Sequence, residues 1–198
     1  MDTGPDAHGN MPDEALLAAY GNGDPDAART LVARWAPRIL AYAGRLLKGD
    51  RAEAEDVTQE TMLRLWRMAP DWRRGGAPVG AWLYRVAGNL CIDRLRRNRL
   101  VVPGSPAAES DSVDRYPTPL SGLQDAARLR ALYAAMADLP DRQRQAVTLR
   151  HIEELPNAEI ARILDTTPEA AESLTARGRR TLAQRLAGRK AELGYRDD

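Results

Sequence analysis

An all-α fold, two small helical domains joined by a flexible acidic linker, is predicted by three features of the sequence. Apolar residues recur at helical spacing through residues 13–99 and again through 123–190. Between them, residues 100–122 carry Pro103, Pro106, Pro117 and Pro119 with Glu109, Asp111 and Asp114, and show almost no apolar periodicity, as a tether does. Charged residues make up 29% of the 198-residue chain and Phe is absent. Leu, Ala, Val and Trp must then build the cores, which favours small helical units over a large sheet.

Taken in order, residues 1–12 are Gly-, Pro- and Asp-bearing and are expected to be disordered. Asp13 is positioned to cap a short helix bearing Leu16, Leu17 and Tyr20, which Gly21-Asn22-Gly23 ends. Asp24-Pro25 restarts the chain as a capping Asp followed by Pro at the first helical position. That helix buries Leu31, Val32 and Trp35. Pro37 is expected to break or re-initiate it, with Ile39, Leu40, Ala43, Leu46 and Leu47 continuing the apolar pattern. Gly49 stops it and Asp50 caps the next helix, Ala52–Met68.

The stretch from Asp50 to Arg99 organises the rest. On the Ala52–Met68 helix, Ala54, Val57, Thr61, Leu65 and Met68 share one side. Asp56, Gln59, Glu60 and Leu63 share the other, with Trp66 at its edge. A purely solvated face has no need of Leu63 among its acids, so this helix is expected to have a second partner. A loop rich in breakers follows, "PDWRRGGAP", holding Trp72, Arg73 and Arg74. Two readings of Trp72 stay open: it folds back as a lid on the domain, or it is a stacking platform beside cations for unpaired bases. A second helix, about Val79–Arg97, buries Val79, Leu83, Val86, Ala87 and Leu90, with Trp82 beside the stripe. Its far side carries Arg85, Asn89, Ile92 and Arg96. Five Arg stand between positions 85 and 99 against one Asp. That exceeds what the helix dipole favours and suggests a surface that tracks phosphates.

Residues 123–190 contain a first helix marked by Leu123, Ala127, Leu129, Leu132, Met136 and Leu139, then a start at Pro140 with Ala146, Val147 and Leu149 inward. Glu153–Pro156 is a break, and Asn157 is positioned to cap "AEIARIL". After the turn Asp165-Thr166, Thr167-Pro168-Glu169 is another cap-then-Pro start. The last helix, 168–187, places Ala171, Thr175, Gly178 and Leu182 on one side. Helix, tight turn and helix of this length form a helix-turn-helix. On the outer face of the second helix, Glu169, Glu172, Ser173, Ala176, Arg177 and Arg180 point one way, with small and polar residues placed to enter a major groove and Arg placed for phosphates. The small inner stripe predicts weaker packing of this helix.

Several function classes are excluded. Net charge is +1, so distribution and not total charge must point to a partner. A single Cys91 forbids an internal disulfide or a Cys-based zinc cage, and a small semi-buried thiol is expected there. His8 lies in the tail and His151 at a helix end, so they form no ligand set, and neither a metal nor a cofactor is expected. No Ser/His/Asp set or phosphate-cradling Gly loop is present, which argues against an enzyme. No apolar run reaches transmembrane length and no signal core opens the chain, so a soluble cytoplasmic protein without membrane insertion is expected.

"AEDVTQETMLRLWR" (54–67) followed by "AWLYRVAGNLCIDRLRR" (81–97) resembles region two of bacterial RNA polymerase sigma factors, nearest to the small extracytoplasmic-function (ECF) group. "LPDRQRQAVTLRHIEELPNAEIARIL" resembles the start of sigma region four. The resemblance implies that 13–99 binds the polymerase clamp and the −10 element, and that 123–190 reads the −35 element. Docking on the β′ clamp would fall to Asp56, Gln59, Glu60 and Leu63. Capture of the −10 strand would fall to Trp72, Arg73, Arg74, Asn89, Asp93, Arg94, Arg96 and Arg97. Contacts to the −35 element would fall to Thr167, Glu169, Glu172, Ser173, Ala176, Arg177 and Arg180, with region four also near the β flap. Core RNA polymerase, promoter DNA and an anti-sigma factor are the implied partners. The recognition helix departs from the family pattern, which commonly has basic residues where Glu172 and Leu174 stand and Gly where Asp165 stands. Two other readings of the residues stay open. A repressor that never touches polymerase explains the helix-turn-helix but leaves Leu63 and the acidic face without purpose. A sigma mimic that titrates an anti-sigma factor fits the altered recognition helix.

Overall fold

The computed structural model describes residues 8–72, 77–101 and 131–187. In chain order the helices are α1 (Asp13–Gly21), α2 (Pro25–Leu46), α3 (Arg51–Met68) and α4 (Val79–Val101), with a 3₁₀ turn, Ala69–Asp71, after α3. Residues 131–137 are helical (α5), and α6 (Asp141–His151), α7 (Asn157–Leu164) and α8 (Pro168–Ala187) follow. No strand occurs among the described residues. The linker, residues 100–122, lies almost wholly outside them.

Local chemistry sets most boundaries. The Asp24 carboxylate accepts from the amides of Asp26 (2.9 Å) and Ala27 (3.3 Å), with Pro25 opening α2. Asp50 accepts from the amide of Glu53 at 3.1 Å and starts α3. Two expected caps are corrected. Pro12 and Pro156 occupy the cap positions of α1 and α7, and Asp13 and Asn157 are the first helical residues. Extended backbone at each Pro delivers the chain into the helix without a side-chain acceptor. Asp13 instead accepts from Trp35 Nε1 at 2.8 Å and pairs with Arg34. Pro37 does not break α2, which runs through it. Trp35 before it and Ile39 and Tyr42 after it are all buried in one core, and that burial outweighs the lost backbone bond.

The expectation of a disordered start holds for no part of residues 8–12. His8 Nε2 lies 2.9 Å from Asp24, and Arg34 donates to the carbonyls of Met11 (3.0 Å) and Gly9 (3.1 Å). Residues 1–7 lie outside the described residues.

The main core sits between α1, α2, α3 and α4. Leu16, Leu17, Leu31, Ile39, Leu65 and Leu83 are fully buried there. Tyr84 anchors it, meeting Trp35 edge-on at 5.8 Å and Tyr42 edge-on at 5.1 Å. Gly80 is required at the start of α4, because a Cβ there would stand 2.3 Å from the Trp35 ring.

The helix-turn-helix unit is not a separate globule. Ala146, Leu149, Ile160, Ile163, Leu164 and Ala171 belong to the same continuous core as α1–α4. A smaller cluster of Ala135, Met136, Leu139, Val147 and Leu182 closes its far side. Arg144 is buried at its centre and donates to the carbonyls of Met136 (2.9 Å), Ala137 (3.0 Å) and Leu139 (3.0 Å), where α5 ends and chain carbonyls lack helical partners. The small stripe Ala171, Thr175, Gly178 and Leu182 is buried as expected. It does not loosen α8, because it brings α8 close to α6: a Cβ at Gly178 would lie 2.6 Å from Val147 Cγ2.

Candidate functional surfaces

The two faces of α3 separate as its sequence pattern requires. Ala54, Val57, Thr61 and Leu65 are buried, while Asp56, Gln59 and Leu63 are exposed on the other side. Leu63 is 41% exposed, one of the few large apolar side chains left in water. Glu60 is half-buried and accepts from Arg64 at 2.8 Å, and that bond holds its carboxyl below the usual range. Trp66 packs on Tyr20 at 4.7 Å and so belongs to the core side. The outer face is therefore one exposed apolar residue beside Asp56, Gln59 and the Arg64-paired Glu60, and no described residue buries it.

The outer side of α4 carries Asn89, Asp93, Arg96 and Arg97, all exposed. Arg94 points elsewhere. It donates to the Glu53 carbonyl and carboxylate, both at 2.8 Å, and ties α4 to the start of α3. Trp72 meets Trp82 edge-on at 6.4 Å and packs against the main core, which is the lid arrangement. Arg73 and Arg74 lie outside the described residues. On α8, Glu169, Glu172, Ser173, Arg177 and Arg180 are exposed and Ala176 is half-buried. Thr167 caps the helix, its hydroxyl accepting from the amide of Ala170 at 3.2 Å.

The structure also brings together groups that the sequence did not single out. Glu153, in the break after α6, reaches across to the first unit, where Arg45 donates to it at 3.2 Å and the Tyr84 hydroxyl donates to its other oxygen. Its side chain is only 9% exposed. Burial first, and Glu153 second, push Tyr84 above the ordinary tyrosine range, so the hydroxyl stays a donor. Arg144 sends one nitrogen to the Leu46 carbonyl of α2 at 2.7 Å. Asp165 stands in the left-handed backbone region (φ 52°, ψ 62°) and its carboxylate lies 3.0 Å from Arg85 of α4. The available signal was polar interruption of the α6 stripe at Arg144, Gln145 and Thr148, all of them buried.

Cys91 is fully buried in α4, and desolvation pushes its thiol up to about 12, so it is an inert core side chain. Among the described residues no group of His, Cys, Asp or Glu could hold a metal ion, and no helix is long and apolar enough to cross a membrane.

Comparison with known families gives two matches. Residues 31–101 match Sigma-70 region 2, and residues 129–182 match Sigma-70, region 4. The chain is 34% identical over 168 residues to the ECF RNA polymerase sigma factor BldN of Streptomyces coelicolor, covering 83% of this chain and 62% of BldN. It thus spans about three fifths of the length of that relative. It is also 34% identical over 174 residues to the ECF RNA polymerase sigma factor SigM of Mycobacterium tuberculosis, covering 88% of this chain and 84% of SigM. Among solved structures, CnrH in complex with the cytosolic domain of CnrY superposes with a TM-score of 0.65 at 25% identity, covering 89% of this chain and 97% of that one. The sigma factor RpoE of Bartonella quintana, in complex with the anti-sigma factor NepR, shares the fold with a TM-score of 0.66 at 23% identity, covering 80% of this chain and 96% of that one. With both sigma regions matched in order and a relative at 34% identity of which the chain covers 84%, the chain belongs to the ECF sigma factors.

Proposed function

We propose that this chain binds core RNA polymerase in the cytoplasm, directs it to specific promoters and helps melt the −10 element. The observation that carries this reading is the outer face of α3. Leu63 is exposed between Asp56 and Gln59 on a helix whose opposite side is fully engaged in the core. An apolar contact beside the Asp56 and Glu60 carboxylates suits an apolar groove with a basic rim on a large partner, and the family assigns that contact to the β′ clamp. Asn89, Asp93, Arg96 and Arg97 then offer hydrogen bonds and charge to an unpaired strand, while Trp72 is left out because it lids the core. Arg94 is left out of that set, since its guanidinium is engaged by Glu53. On α8, Arg177 and Arg180 would hold phosphates while Ser173 and Glu172 face base edges, where a Glu accepts from cytosine N4. Such a factor supplies recognition and strand capture, and the bond-forming chemistry belongs to the polymerase. Control by an anti-sigma factor follows from family membership, and the open face of α3 is one surface it would cover.

The test is assembly with purified core polymerase. The wild-type chain is expected to form holoenzyme. Asp56→Arg is expected to lose it while keeping its helicity and melting temperature, because Asp56 is exposed on the outer side of α3. Holoenzyme assembly by Asp56→Arg at wild-type level contradicts the assignment of this face.

A further inference from the structure

We propose that Arg94 is a positioning residue for strand capture: it fixes the aim of the DNA-presenting end of α4 by gripping the first turn of α3, and touches neither DNA nor polymerase. The inference rests on the −10 role proposed for α4. Among the described side chains, the last buried one on α4 is that of Cys91. About 15 Å of helix continues beyond it, to Val101. Asp93, Arg96 and Arg97, which are proposed to meet the −10 strand, lie on that overhang and are exposed. A tilt of about 10° at Cys91 would swing Arg96, roughly 7.5 Å further along the axis, by about 1 Å. A shift of that size spoils hydrogen-bond geometry to a base or a phosphate. The aim of the overhang has to be set from outside the core.

Two side chains hold it. Leu95 packs half-buried against the edge of the core. Arg94 supplies direction: its Nη1 donates to the Glu53 carbonyl oxygen and to the Glu53 carboxylate, each at 2.8 Å. Two acceptors on one residue give the guanidinium a defined seat, which apolar packing alone does not. The seat is itself fixed, because the Asp50 carboxylate accepts from the Glu53 amide at 3.1 Å and caps α3 there. The Arg94 side chain is only 17% exposed, so water competes weakly for it. Glu53 lies about one turn before Asp56, on the helix proposed to dock on polymerase. Arg94 thus ties the direction of the DNA-facing helix to the polymerase-facing one. If Arg94 were instead a phosphate contact, Glu53 would be its competitor, and losing that carboxylate would strengthen strand capture. As an anchor, its loss weakens capture, so the sign of the effect separates the two roles.

The test uses holoenzyme made from core polymerase and the full chain on genomic DNA fragments, scored at the start sites that the wild-type chain creates. Permanganate reactivity of unpaired thymines reads opening, titration of core reads assembly, and amide hydrogen exchange of the free chain reads order along α4. Arg94→Ala is expected to slow opening about fivefold, the size of one hydrogen bond's contribution, while binding core within about twofold of wild type. Its exchange is expected to rise at residues 92–98 and to stay unchanged at 80–90. Arg94→Lys, which keeps a cation for the carboxylate, is expected to recover most of the opening. Glu53→Ala is expected to slow opening by a smaller factor, and to add nothing to Arg94→Ala in the double variant, as residues acting through one contact do. Opening by Glu53→Ala as fast as wild type or faster overturns the anchor. Equal losses of assembly and opening in Arg94→Ala overturn it too, since a general loosening of the first unit moves both. A wild-type chain that assembles with core and opens no promoter overturns the −10 reading of α4 and this inference with it. Wild-type opening by Arg94→Ala beside an active wild type overturns this inference alone.

Discussion

The two units bury their interiors in different ways. The first uses bulk: Trp35, Tyr42 and Tyr84 interlock edge-on among leucines, and α1 to α4 close around them. The second uses proximity and polar staples. Its α8 stripe is Ala171, Thr175 and Gly178, and its centre is a buried Arg144 tied to carbonyls at the end of α5. The first is a platform built round its own interlocked aromatics. The second leans part of its apolar surface, and one bond of its buried Arg144, on the first. A unit held by directional bonds and small side chains can leave its neighbour with less apolar surface exposed than an aromatic core could.

The largest expected effect strikes the second unit. Arg144→Ala leaves several buried carbonyls without donors and is expected to lower stability by about 3–5 kcal/mol in urea unfolding. A loss under about 1 kcal/mol would mean that the buried cation is replaceable by water and that the staple picture fails. The paired glycines sharpen the comparison. Gly80→Ala drives a methyl into the rigid Trp35 ring and is expected to cost about 2–3 kcal/mol. Gly178→Ala meets the smaller Val147 side chain, with the Gln143 carbonyl at 3.3 Å, and is expected to cost about 1–2 kcal/mol. Equal losses would argue that both interiors are equally stiff.

Alkaline pH probes the contact between the units. Tyr84 and Tyr42 are both raised above their ordinary value, chiefly by burial. A group whose folded value is raised contributes its stability in full below its unfolded value, about 10 for tyrosine, and loses it as pH rises further. Stability is therefore expected to fall above about pH 10, and Tyr84→Phe is expected to shallow that fall. An unchanged slope in Tyr84→Phe would assign the loss to other groups. The smallest effect lies at the edge of the first unit, where Asp24→Ala removes the cap of α2 and is expected to cost about 1 kcal/mol by thermal melting.

Much of this arrangement was legible in the sequence. The two faces of α3, the buried stripe of α4, the cap at Asp24 and the start of α8 at Thr167 follow from period, cap chemistry and Pro placement, and all of these act within a few residues. What was not legible acts at long range. Pro37 is carried through α2 by burial on both sides of it, which no local rule reports. Arg94 has the composition of a DNA contact, but Glu53, 41 residues away, engages it. Glu153 and Asp165 look like loop acids until the fold sets Tyr84, Arg45 and Arg85 opposite them. His8 reads as part of a loose tail because its partner, Asp24, has an obvious local role as a cap.

The measurement that tests the central claim most directly is transcription in vitro. Core polymerase is supplied with genomic fragments, with and without the purified chain, and the RNA 5′ ends are mapped. The chain is expected to create a small set of new, reproducible start sites that disappear with Asp56→Arg and weaken with Arg96→Ala. Arg96→Ala is expected to reduce promoter opening more than polymerase binding. If the wild-type chain assembles with core and yields no new start sites on any fragment, it does not act as an initiation factor, and the account given for α4 and α8 is wrong.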